Sequence, residues 1–299
     1  MNQEVPSCPL CKGQRSDLFD QRTFRGIAVR NRICNTCGLV YESPRMSEDE
    51  ADEFYKSEYR RLYQGGQEGP VLNEIVIQQA RAEALFKLFD AKNKQVSRHL
   101  DIGCSAGLLL SKFREFYHCD SIGIEPGNAF REYARRQNLK IYSSLEELQH
   151  AREGSFDLIS MSHVLEHLVD PVAYLVKLRE SSLAQGGWLY LEVPNLYAHD
   201  SFEIAHLYSF SSHTLRQVLQ QAGFEVVRVV KHGHPRSKIT PLYLNVLAHP
   251  RHTGVILPGI KPERGVRSKR RLGLFVRECA KLTLRVEARL RRMIARSSD

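Results

Sequence analysis

The stretch Arg98-His99-Leu100-Asp101-Ile102-Gly103-Cys104-Ser105-Ala106-Gly107-Leu108-Leu109-Leu110 decides the fold. It reads as a short strand, a turn of small residues and the opening of a helix. Gly103 and Gly107 allow the backbone to come close to a ligand at the carboxyl end of the strand. Their spacing is GxxxG, not the GxGxxG of dinucleotide sites or the GxxxxGK[ST] of triphosphate loops, so those two readings lose ground.

Downstream, Ser121-Ile122-Gly123-Ile124-Glu125 is a second apolar strand ending in an acid that can accept hydrogen bonds from two ribose hydroxyls. Phe130 to Asn138 reads as a helix and Lys140-Ile141-Tyr142 as a third strand. A fourth strand, Phe156 to Met161, runs into Ser162-His163-Val164-Leu165-Glu166-His167. Asp170-Pro171 opens a helix with a capping residue and a first-turn proline. Gly186-Gly187 is expected to end that helix, and Trp188 to Pro194 is a fifth strand. Strands alternating with helices imply a parallel sheet covered on both faces.

Taken in order, DIGCSAG, the strand-end Glu125 and FDLISMSHVLEHLVDP resemble the successive motifs of class I S-adenosylmethionine methyltransferases, and HLYSFSSHTLRQVLQQAGFEVV resembles their late helix and strand. The resemblance covers residues 98 to about 248. It implies a doubly wound, Rossmann-like α/β sheet of seven strands whose last, Tyr243 to Ala248, runs antiparallel. It also implies that Asp101, Gly103, Cys104 and Gly107 surround the methionine part of the cofactor, that Glu125 holds the ribose, and that Pro126 lies by the adenine. Ser144 and Leu145 stand where many relatives carry an acidic loop near the adenine amine, and Ser162 at the end of the fourth strand completes the expected cofactor set.

Upstream, Cys8-Pro-Leu-Cys11 and Cys34-Asn-Thr-Cys37-Gly38 form two CxxC pairs, the spacing that presents four thiolates to one tetrahedral zinc ion. With four protein ligands such a site is closed and structural. Arg25 to Val29 and Asn31 to Ile33 read as a hairpin between the pairs, and Leu39-Val40-Tyr41 as the strand leaving them. Cys104, Cys119 and Cys279 are isolated and read as buried small hydrophobes. A zinc ribbon ahead of this core is similar to bacterial enzymes of sugar and polysaccharide modification, including sugar C-methyltransferases.

Composition excludes little: 42% hydrophobic and 26% charged residues belong to an ordinary folded chain. No apolar run reaches the roughly 20 residues of a membrane span, and MNQEVPSCPLCKG lacks the features of a signal peptide. A cytoplasmic location is therefore expected. The net charge of +9 lies on the tail: 13 Lys/Arg against 4 Asp/Glu from Lys261 onward, with the rest of the chain neutral. Leu272, Phe275, Val276, Cys279, Leu282, Val286, Leu290 and Met293 recur there at helical spacing among arginines. Such a basic amphipathic helix, 266–296, suits first the protein's own body, next an anionic membrane surface and third RNA.

Four segments follow: a zinc-ribbon module (1–45), a helical linker or lid (46–95), the S-adenosylmethionine-binding core (96–250) and the basic tail (251–299). In the lid, Tyr55, Tyr59 and Tyr63 recur every four residues beside Arg60 and Arg61. His163 and His206 are the candidate catalytic residues, as base or acceptor contacts, with Tyr208 beside the second. The absence of an Asn-Pro-Pro-Tyr type motif disfavours N-methylation of nucleic acid bases. The expected function is O- or C-methylation of a sugar, glycan or other small acceptor in cell-surface polysaccharide synthesis. The rivals are an RNA methyltransferase gripping with ribbon and tail, and a module that binds cofactor or partner without catalysis. Six cations (Lys12, Arg15, Arg22, Arg25, Arg30, Arg32) against Asp17 and Asp20 make the ribbon only modestly basic.

Overall fold

The computed structural model describes residues 3–59, 62, 69–90, 94–200, 202–251 and 257–296, with side chains in the last helix as far as 283. Eleven strands form two sheets among these residues. The first three are β1 (Ser16–Phe24), β2 (Ile27–Cys34) and β3 (Val40–Glu42). Arg25 and Gly26 make the β1–β2 turn with φ of 50° and 85°. This corrects the hairpin expected at 25–33: the turn lies where its first strand was placed. The pattern between the cysteines is too polar to show a strand, because β1 is covered on one side at most.

The main sheet comprises β4 (Arg98–Ile102), β5 (Asp120–Ile124), β6 (Lys140–Tyr142), β7 (Phe156–Ser162), β8 (Leu183–Pro194), β10 (Phe224–His232) and β11 (Tyr243–Pro250). Its order is β10-β11-β8-β7-β4-β5-β6. β4 to β8 pair in parallel, and β11 is antiparallel to both β8 and β10. The seven-stranded sheet with its last strand reversed is therefore present. The central strands read as nearly continuous apolar runs because helices cover both faces.

The helices are α1 (Glu48–Glu53), continued by a π-helical turn Phe54–Glu58, then α2 (Leu72–Phe89), α3 (Leu108–Tyr117), α4 (Asn128–Arg136), α5 (Leu145–His150), α6 (Pro171–Ser181), α7 (Ser212–Gln221) and α8 (Val266–Arg296). Caps set several boundaries: Ser47 and Glu50 form a capping box, and Asp170 accepts from Ala173 N–H at 2.9 Å ahead of Pro171. Helix α6 ends at Ser181, not at Gly186-Gly187. Phe156 pairs with Leu183 but Leu158 pairs with Trp188, so residues 184–187 bulge out within β8 and Gly186 supplies the φ of 79°. On one face of the sheet, α2 and α3 pack through Phe89, Phe113 and Tyr190, with ring centroids 5.1–5.2 Å apart.

The cysteine module is not an appendage. β3 pairs with β9 (Tyr208–Ser209), a two-residue strand that follows β8 in the chain, with Tyr41 opposite Tyr208. Buried Cys8, Leu10, Cys37, Leu39 and Tyr41 belong to the same apolar cluster as Leu100, Ile122, Ile159 and Val246 of the main sheet.

At the other end, α8 docks by one stripe. Val266 and Arg270 are buried, Arg270 donates to the carbonyls of Leu196 and His199, and Arg277 to that of Ala198. A Cβ at Gly273 would lie 2.0 Å from the Tyr197 carbonyl oxygen, so only glycine permits this approach. The expected apolar stripe faces away: Leu272, Phe275, Val276 and Leu282 are 56–67% exposed. Cys279, expected to be buried, is exposed on that same outer face. The expected stripe residues Val286, Leu290 and Met293 have no described side chains.

Candidate active site

All five parallel strands, β4 to β8, end at one edge of the sheet, and β10 ends there too, with His232 opposite Tyr243 at the start of β11. This carboxyl edge is where open α/β sheets bind ligands.

At the β4 end, Asp101 is buried and accepts from Ser160 Oγ at 2.5 Å; Ser160 Oγ in turn lies 2.8 Å from His99 Nε2. Burial, with the charge of Glu125 adding to it against the Ser160 hydrogen bond, pushes Asp101 up to about 7. Glu125, also buried, accepts from Ser105 N–H with one oxygen and Gly127 N–H with the other, each at 2.9 Å. Gly103 and Gly107 have φ of 71° and 77°, and a Cβ on Gly103 would lie 2.5 Å from Val164 Cγ2. Cys104 is buried, with its sulfur against Gly123, and Pro126 is exposed. Ser144 caps α5 by accepting from Glu147 N–H at 3.2 Å, and Leu145 is buried in the core. The charge of Glu125 disfavours ionisation of buried Asp101, and a ligand bearing positive charge relieves that while its ribose hydroxyls can donate to Glu125. The residues therefore fit S-adenosylmethionine, which carries an ammonium, a sulfonium and a ribose.

Beside this cradle lies a second buried group, much of it unmarked in the sequence. Ser162 Oγ donates to Glu192 Oε1 at 3.1 Å. His163, with a left-handed φ of 56°, sets Nδ1 3.2 Å from Glu166 Oε1 and Nε2 3.2 Å from Glu192 Oε1. Burial and Arg81 push its pKa down, but the two carboxylates outweigh them and raise it, so His163 is a stronger base than free imidazole and stays protonated further up the pH scale. Arg81 of α2 pairs with Glu192 and His163, and its guanidinium lies 4.8 Å from the Tyr243 ring centre. His232 Nε2 is 2.9 Å from Glu192 Oε2.

His206 is buried 3.1 Å from Glu203, and its ring lies 4.8 Å from that of His167. Burial, reinforced by His167, pushes His206 down to about 3. Tyr55 and Tyr59 pack edge-on against His167 at 5.7 and 6.0 Å. The other lid residues named from the sequence, Arg60, Arg61 and Tyr63, lie outside the described residues. Tyr208 is structural: its hydroxyl accepts from Arg45 at 2.9 Å and donates to the Val169 carbonyl at 2.8 Å. Arg81, Glu192, His232 and Tyr243 were missed in the sequence; only Glu192, a carboxylate inside the apolar run Leu189 to Val193, carries a visible signal there.

At the N-terminal module, the four sulfurs of Cys8, Cys11, Cys34 and Cys37 lie within 4.8 Å of one another. Cys8 and Cys37 approach to 3.5 Å and Cys11 and Cys34 to 3.4 Å. Hydrogen bonding with Cys34 is the main cause that pushes the Cys8 thiol up to about 12. Bonds from Cys37 and Cys8 hold Cys34 down, and the same crowding pushes Cys37 up. Four cysteine sulfurs this close are a donor set whose spacing fits a tetrahedral zinc ion.

A doubly wound α/β sheet with its seventh strand reversed, and a carboxylate-lined cradle at the carboxyl edge, define the methyltransferase class of fold. The family described as "Methyltransferase domain" matches residues 75–229, just over half of the chain, and the protein belongs to it. A ubiquinone biosynthesis O-methyltransferase of Acinetobacter baumannii (strain AYE) is 28% identical over 104 residues, 32% of this chain. The chain spans 43% of that relative's length. The 1,6-didemethyltoxoflavin-N1-methyltransferase of Burkholderia thailandensis, solved with 1,6-didemethyltoxoflavin and S-adenosylhomocysteine bound, superposes with a TM-score of 0.56 at 16% identity. It covers 78% of this chain and 100% of its own, a likeness of fold.

Proposed function

We propose that this protein transfers a methyl group from S-adenosylmethionine to a hydroxyl or acidic carbon of a small polar acceptor of carbohydrate type. Buried Asp101 and Glu125 at adjacent strand ends carry the reading. When bound, the cofactor supplies an electrophilic methyl carbon on a sulfonium. Glu125 holds the ribose hydroxyls, Asp101 faces the cationic methionine end, and the Gly103–Gly107 turn permits the close approach. His163, gripped between Glu166 and Glu192, takes the acceptor's proton in its neutral form, which its raised pKa confines to higher pH, while Arg81 and Tyr243 position the acceptor's oxygens. A polar, histidine-lined group favours a hydroxylated acceptor over an apolar one. A structural zinc ion in the four thiolates completes the protein.

Calorimetric titration with S-adenosylmethionine tests this. Glu125→Ala is expected to weaken binding on the order of 100-fold, two lost charge-assisted hydrogen bonds at ~1.5 kcal/mol each. Because binding favours ionised Asp101, affinity should rise with pH up to about 7 and level off above it, a dependence absent in Asp101→Asn. A folded wild type that binds no cofactor would sink the reading.

The outer face of α8 supports peripheral attachment to an anionic, inner-leaflet membrane. Among the described residues no helix is long and apolar enough to cross a bilayer. The exposed Leu272, Phe275, Val276 and Leu282 form a stripe flanked by Lys269 and Arg271, and anionic headgroups complement those cations. Burial of each large apolar side chain contributes about 1.5–3 kcal/mol. Sedimentation with anionic phospholipid vesicles should fall at least tenfold for Phe275→Ser/Val276→Ser. Equal binding to neutral vesicles, or tight RNA binding with no vesicle binding, would reject it.

A further inference from the structure

The sequence offers Glu166, His167 and His206 as separate features, but the fold brings them together. Glu166 and His167 lie on the 3₁₀ turn Leu165–His167 after β7, and His206 lies in the segment between β8 and β9. One ligand atom from each falls within 4.8 Å of the others, and all three residues are buried.

We infer that these three side chains form a second metal site, a two-histidine, one-carboxylate set for a divalent transition ion. Glu166 is fully buried, and neither of its carboxylate oxygens makes a hydrogen bond of good geometry. Its nearest neighbours are His163 Nδ1 at 3.2 Å and His167 Nε2 at 3.9 Å. Protonated His163 offers Glu166 Oε1 one cationic neighbour, but Oε2 is buried with no hydrogen bond, and a buried carboxylate oxygen so placed is costly unless a further partner satisfies it. His167 Nδ1 lies 2.6 Å from the Ala205 carbonyl, which fixes that nitrogen as the donor and leaves Nε2 as a bare acceptor facing Glu166. Metal-ligating histidines commonly have this outer hydrogen bond. Glu203, 3.1 Å from His206 Nε2, stands ready as a fourth ligand or an outer-shell partner. Tyr55 and Tyr59 shield the site, and Tyr55 donates to the same Ala205 carbonyl at 3.2 Å. Imidazole with carboxylate suits zinc, manganese or iron(II) and differs in softness from the four-thiolate cluster.

Glu166 also faces His163, so the ion and the proposed base share one carboxylate. The inference thus extends the proposed function, but its test does not depend on activity. The full chain, saturated with zinc and freed of excess metal, is analysed for bound zinc per chain. The expected result is a second equivalent beyond the one taken by the thiolates, lost in Glu166→Gln and in His206→Asn. Cobalt added to wild type that holds one equivalent of zinc, at the thiolates, should give a weak visible band with no thiolate-to-cobalt charge transfer, which needs no variant to fold. A wild type that holds zinc at the thiolates alone and gives no such band overturns the inference, as does unchanged stoichiometry in both folded variants. Loss of methyl transfer with the second equivalent still bound would count against the proposed function and leave the metal site standing.

Discussion

Removing the proposed zinc ion from Cys8, Cys11, Cys34 and Cys37 is expected to destabilise the whole chain, not the N-terminal module alone. Cys34→Ser, or a strong chelator, would leave crowded thiols without the proposed ion, and β1 to β3 would lose what closes their module. The loss spreads because β3 pairs with β9 and because Cys8, Leu39 and Tyr41 share an apolar cluster with the main sheet. Structural zinc contributes ~10–16 kcal/mol in isolated fingers. Here the shared core retains part of the fold, and a cost on the order of 5 kcal/mol is expected. At roughly 2–4 °C per kcal/mol for a chain of this size, the midpoint should fall by at least about 10 °C. Scanning calorimetry with and without chelator checks it. One transition moving down bears the argument out; an early minor transition ahead of an unmoved main one would show that the module folds by itself.

The second large effect is expected from Arg81→Met. Glu192 is buried to 1% exposure, and Arg81 is its strongest partner. Burial works against its charge, but Arg81 first, then His163 and His232, hold its carboxyl well below the ordinary range. Breaking a buried pair from one side costs ~3–5 kcal/mol, because the remaining charge has no compensation. His163 and His232 offset some of that, so about 3 kcal/mol is expected at neutral pH in urea unfolding. The double variant Arg81→Met/Glu192→Leu should recover most of the loss. The sign with pH follows from the depressed carboxyl: its stabilisation is full above about 4.5 and is lost as pH falls toward its lower folded value. Without Arg81 that value rises, so acid unfolding should begin at higher pH. A single variant within about 0.5 kcal/mol of wild type would mean that the histidines alone hold Glu192.

Much of the fold is legible in local sequence because its signals are local. Asp101 to Gly107 and Glu125 announce themselves by a small-residue turn between an apolar strand and a helix and by an acid at a strand end. The caps Ser47 and Asp170 mark helix starts. Where a signal depended on a distant partner, the reading slipped. Gly186-Gly187 looked like a helix stop but is a bulge, which only pairing with β7 defines. Cys279 looked like a core residue because helical periodicity shows that a stripe is apolar but not what covers it.

By itself the sequence determined the α/β class, the strand–turn–helix of the cradle, the acid at the end of the second strand and the two CxxC pairs. Each of these signals is local, carried by residues within a few positions of one another, where chain geometry alone links pattern to structure. Tertiary structure decided the rest. Only folding brings Arg81 to Glu192 across 111 positions, sets His206 beside Glu166 and His167, and joins the cysteine module to the main core through β9. Such contacts depend on which faces are buried against one another, and a hydrophobic pattern states that a face is buried without naming its partner.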